Sequence, residues 1–161
     1  MIAWASVTMT SADVADLAAR RDSIRTRWTE VLGLDRASSA LASPEILVYM
    51  IDHTLDDLFA ALARQVGEAI PAPPPATCAC GRNPSLQYFA AGRQAVLEAL
   101  VLGQSIVLGL NPAERDLALR ELERAYNSIE REHIENFCAI CQFNPARGAP
   151  ANLASLPAWD R

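Results

Sequence analysis

The chain has 161 residues, the size of one domain, and can bury a core without disulfide or metal staples. With 51% hydrophobic and 20% charged residues it is not intrinsically disordered. Its 19 acids against 14 bases, a net charge of −5, exclude the basic excess of a nucleic-acid binder.

The first predicted helix covers about 11–32, with Val14, Leu17, Ile24, Trp28 and Val31 at three- and four-residue spacing and Gly33 as its stop. Three later helix starts share one chemistry: Ser43-Pro44-Glu45, Asn83-Pro84-Ser85 and Asn111-Pro112-Ala113-Glu114. Each sets a side-chain oxygen at the N-cap and proline at the first helical position, where its missing N–H has no bond to lose. Glu114 completes a capping box in the third.

The helices that follow cover about 44–67, 84–109 and 112–143. The second presents Leu47, Met50, Ile51, Leu55, Leu58 and Leu62 inward, and the fourth presents Leu119, Leu122, Tyr126, Ile129, Phe137 and Ile140. Between the second and third lies a long proline-rich linker, 69–82, whose Pro71-Ala72-Pro73-Pro74-Pro75 is stiff, extended chain that crosses the bundle or lies over its end. An Ala/Pro-rich tail occupies 145–161. No segment alternates with period two. The expected fold is a single all-α domain over 1–161, a four-helix bundle. Its third and fourth helices form an antiparallel hairpin across a turn of about two residues.

The most apolar stretch, Ala95 to Leu110, is interrupted by Glu98, Gly103, Gln104 and Ser105 and is too short for a membrane span. No basic leader is read at the N-terminus. The expectation is a cytoplasmic protein, and the all-arginine bases with abundant alanine suggest a GC-rich bacterial genome. Cysteines in a reducing compartment are metal ligands or thiols rather than disulfides.

The four cysteines carry the sharpest site expectation. Cys78-Ala79-Cys80 precedes the third helix and Cys138-Ala139-Ile140-Cys141 closes the fourth. Two antiparallel helices of about 26 and 32 residues, near 39 and 48 Å long, return the second pair to the first. Four converging thiolates suit tetrahedral zinc in a closed, structural site of Cys78, Cys80, Cys138 and Cys141. The alternatives are an iron–sulfur cluster with the same ligands, and a metal-free switch oxidising Cys138 with Cys141.

A weaker polar site is placed at mid-bundle. Glu130-Arg131-Glu132-His133 has the Glu-x-x-His spacing of ferritin-like di-iron helices, but no second copy exists because Met50 stands three before His53. His53, Asp57, Glu98, Glu130 and His133 remain candidates for a cofactor pocket at similar depth. The competing reading leaves His53 and Glu130 solvated and pairs Glu98 with an arginine such as Arg25. Arg115, Arg120, Arg124 and Arg131, interleaved with glutamates, read as a solvated, salt-bridged face. No catalytic residues are assigned.

The third helix carries more apolar surface than one core contact uses: Val96, Leu97, Leu100, Val101, Leu102, Ile106, Val107 and Leu108. A homodimer through this helix is expected. The functional expectation is a non-catalytic, zinc-stapled, dimeric interaction or sensor module. Its alternatives are an oxidoreductase or gas or redox sensor using the mid-bundle groups, and the thiol switch.

Overall fold

The computed structural model describes residues 9–34, 43–64, 73–74, 76–78, 83–107 and 111–140. Every regular element among them is helical: α1 (Ser11–Ala19), α2 (Arg21–Leu34), α3 (Pro44–Leu47), a 3-10 turn (Val48–Met50), α4 (Ile51–Arg64), α5 (Pro84–Ile106) and α6 (Pro112–Ile140). The all-α class is as expected. The tail 145–161 lies outside the described residues.

The first predicted helix is two. Arg20 leaves the helical region at φ −91°, ψ 9°, and its N–H reaches back three residues to the Leu17 carbonyl at 3.1 Å. Its guanidinium folds onto Asp16 at 3.0 Å, and Gly103 of α5 lies under that pair. A methyl group at Gly103 would come within 2.6 Å of the Asp16 carboxylate, so that exposed side chain would have to move aside to admit it. Gly33 is not a stop, since α2 runs through it to Leu34.

The caps divide. Asn83 accepts the Ser85 N–H at 2.9 Å. Asn111 accepts the Ala113 N–H at 3.0 Å while Glu114 accepts the Asn111 N–H at 3.3 Å, closing the expected reciprocal cap. Ser43 does not cap, because its hydroxyl donates to the neighbouring Glu45 carboxylate at 2.6 Å. A capping box at Thr10 and Asp13 opens α1, with aspartate in the place usually held by glutamate.

One apolar cluster draws on every helix, and its centre is aromatic. Trp28, Tyr88, Phe89 and Tyr126 are buried, with Trp28 and Tyr88 centroids 4.8 Å apart and Phe89 meeting Tyr126 edge-on at 5.7 Å. Each polar atom in this knot is satisfied. Trp28 Nε1 donates to the Tyr88 carbonyl at 3.0 Å, Tyr126 donates to the Phe89 carbonyl at 2.9 Å, and the Tyr88 hydroxyl lies 2.8 Å from Thr54 Oγ1. Gly92 makes the knot possible. A methyl group there would sit 2.2 Å from the Trp28 ring and 2.3 Å from the Tyr126 hydroxyl.

Helices α5 and α6 run antiparallel. Asn83 at the start of α5 reaches Ile134 late in α6, Arg93 reaches Glu130, and Tyr126 reaches back to Phe89. The connection is longer than the expected two residues, since α5 ends at Ile106 and Val107 is already extended at φ −81°, ψ 108°. Gly109 falls outside the described residues.

The described part of the proline-rich linker, 73–74, forms a strap on α6. Asn127 Nδ2 donates to the Pro73 carbonyl at 2.9 Å and Arg131 Nη2 to the Pro74 carbonyl at 2.6 Å. Cys78 then meets Cys138.

Candidate functional site

The strap brings two of the four cysteines together. Cys138 Sγ donates to Cys78 Sγ at 3.1 Å, and both are half-buried thiols. Asn83 ties this end down. Its side chain caps α5 through Oδ1, and its Nδ2 donates to the Ile134 carbonyl at 3.3 Å and to Cys138 Sγ at 3.8 Å. Cys80 and Cys141 lie outside the described residues.

The expected zinc-stapled function is corrected here. Among the described residues no group of three or more histidine, cysteine, aspartate or glutamate side chains could hold a metal ion. Of the expected ligands only Cys78 and Cys138 meet among the described residues, and other ligand-type side chains on α6 are engaged elsewhere. His133 packs on Phe89, with ring centroids 5.3 Å apart. Glu130 is taken by Arg93, and Glu135 pairs with Arg131 at 3.5 Å. The metal-dependent oxidoreductase or sensor reading loses its basis with the same finding.

The mid-bundle candidates do not share a pocket. His53 is 79% exposed, with Asp57 3.9 Å away across one helical turn. Glu98 binds Arg27 at 2.7 and 3.2 Å and Gln94 at 2.8 Å. The partner is Arg27 rather than Arg25, because Arg25 turns to Asp52 at 3.1 Å. The Arg27 guanidinium, and then the Gln94 amide, hold the Glu98 carboxyl below the usual carboxylate range.

Glu130 is the exception to the solvated reading. It is 6% exposed, with Arg93 as its partner and the Arg93 guanidinium lying 5.1 Å over the Tyr126 ring. Burial pushes the Glu130 carboxyl above its ordinary range, and Arg93 opposes that shift. Tyr126 is held far above the usual phenol range by burial. Glu121 and Arg124 are buried too, with Glu121 accepting the Met9 N–H at 2.7 Å. The expected solvated face of α6 is therefore partly covered, because α4, α5 and the strap enclose more of that helix than one apolar stripe implies.

No family model, curated protein or solved structure matches this chain.

The site residues missed from sequence are Asn127, Arg131 and Asn83. Asn127 and Arg131 stand four apart on one face of α6, a spacing that suits one extended segment. Nothing in their identity names the proline carbonyls as the partners.

The remaining feature is the far end of α5. Val96 and Leu100 are buried and Leu97 is partly buried, whereas Val101, Leu102, Ile106 and Val107 are 52%, 60%, 69% and 51% exposed. Leu108 lies outside the described residues. Ser105 shares this face, but its hydroxyl is spent on the Leu102 carbonyl at 2.7 Å. Among the described residues no helix is long and apolar enough to cross a membrane.

Proposed function

We propose that this chain is a helical assembly module that pairs with a second copy through the exposed end of α5. The observation that carries it is the uncovered run Val101, Leu102, Ile106 and Val107. Positions 101, 102, 105 and 106 lie on one face by helical spacing. Ser105 satisfies itself within the helix, so the face offers no unmet donor.

A second copy suits this face better than a charged partner. The chain carries −5, yet the strip is uncharged, so two copies can meet there without opposing like charges. An apolar strip without charge direction is self-complementary, as a two-fold contact requires. A strip this short gives a weak, reversible pair rather than an obligate one.

Light scattering across a concentration series tests the proposal. The wild-type mass should rise towards two chains, while the double variant Leu102→Glu, Ile106→Glu stays at one chain with unchanged helicity. A wild-type protein that remains a single chain at its highest soluble concentration refutes it.

A further inference from the structure

We infer that Cys78 and Cys138 form a redox clasp that fastens the proline strap to α6, closing by exchange with a small-molecule disulfide. The clasp goes beyond self-association and does not depend on it, since it lies at the opposite end of α5.

The geometry is that of two thiols held ready. Their sulfurs are 3.1 Å apart, so closing to a bond of about 2.05 Å asks for a movement near 1 Å. Both partners are restrained on either side. Upstream, Asn127 and Arg131 hold Pro73 and Pro74; downstream, Asn83 holds the start of α5 to Ile134 and reaches Cys138 Sγ. Restraint of this kind raises the effective concentration of one thiol at the other. Half-burial leaves both sulfurs reachable by a small oxidant.

The chemistry balances within the two partners. One cysteine thiolate attacks a sulfur of the small disulfide, forming a mixed disulfide and releasing one thiolate. The second cysteine thiolate attacks the protein sulfur of that adduct and releases the other half. Two thiols and one disulfide become one disulfide and two thiols. The two electrons pass to the small molecule, and no proton is gained or lost overall. The product joins Cys78 covalently to the last turns of α6. Reduction by a small thiol reverses each step.

The test uses the full chain, reduced and then incubated with oxidised glutathione before alkylation. Cleavage at arginine without reductant places Cys78 and Cys80 on one peptide, 65–82, and Cys138 and Cys141 on another, 132–147. The expected product is a cross-link between these two peptides, accompanied by loss of two hydrogens in the intact mass. The double variant Cys80→Ser, Cys141→Ser should keep the cross-link. Cys78→Ser in that background should instead stop at a glutathione adduct on Cys138. Amide exchange at Ala76, Thr77 and Cys78 should slow by about ten-fold on closure and recover on reduction.

Bridges found only within each peptide would overturn the clasp, as would a folded Cys80→Ser, Cys141→Ser protein that never cross-links. Should that variant lose its helicity, fragmentation of the wild-type cross-link between Cys78 and Cys80 decides the same question.

Discussion

Between Pro84 and Leu100, α5 is enclosed: Tyr88, Phe89, Ala95, Val96 and Leu100 all sit in the core, and Trp28 and Tyr126 press on Gly92. From Val101 to Val107 the chain is more apolar still, with no charged residue, yet most of it faces outward, apart from Gly103 beneath Asp16 and Arg20. The two halves are not buried in proportion to their hydrophobicity. They differ in what the other helices can reach. α2 and α6 pack along the first half, where Trp28 reaches Tyr88 and Tyr126 reaches Phe89, whereas α1 meets the second beneath Asp16 at Gly103. Apolar composition therefore reports a helix's appetite for burial but not the supply of partners.

The largest effect should come from the enclosed half. Gly92→Ala places a methyl group inside the Trp28 ring contact and the Tyr126 hydroxyl, neither of which can swing into solvent. Overpacking of a closed core costs about 3 kcal/mol, read as a lower urea midpoint with an unchanged slope. A near-neutral Gly92→Ala would mean that the aromatic knot is loose, and the contrast between the two halves would fade.

A smaller loss, with a pH signature, is expected from Arg93→Ala. It leaves Glu130 buried without its counter-charge, at a cost of about 2 kcal/mol near neutral pH. The sign follows from burial. The Glu130 carboxyl titrates higher folded than unfolded, so the folded state binds its proton more tightly. Stability from this group is then present at acid pH and lost as pH rises from the unfolded value, 4.5, through the raised folded value. Removing Arg93 raises that value further, so the cost of Arg93→Ala should grow with pH. Denaturation of both proteins from acid to neutral pH checks this, and a cost that shrinks with pH would show Glu130 is not desolvated.

The same contrast explains what could be read from sequence. Helix starts at Asn83 and Asn111 were legible because proline and a capping side chain act within four residues. The break at Arg20 was not, since neither glycine nor proline marks it. Gly33 misled for the converse reason: a glycine can sit in an exposed helical turn with nothing near it. Among the candidate residues, the approach of Cys138 to Cys78 followed from helix length, a local quantity. The fate of Glu130 depended on Arg93 and on the enclosure of α6, which only tertiary packing brings into place.

The smallest effect should come from the bare half. Leu102→Glu with Ile106→Glu puts charge where the single chain already meets water, so its intrinsic stability should change by less than about 0.5 kcal/mol per site. Leu100→Glu, two residues away but 5% exposed, should cost at least about 3 kcal/mol, because it buries a carboxylate without a partner. Dilution separates chain stability from pairing. If a second copy covers the strip, the wild-type melting midpoint rises with protein concentration, because association stabilises only the folded chain. The doubly charged variant should melt at one temperature whatever its concentration. Equal concentration dependence in both proteins would place the contact elsewhere, and its absence from both would leave the end of α5 an exposed face with no self-pairing role.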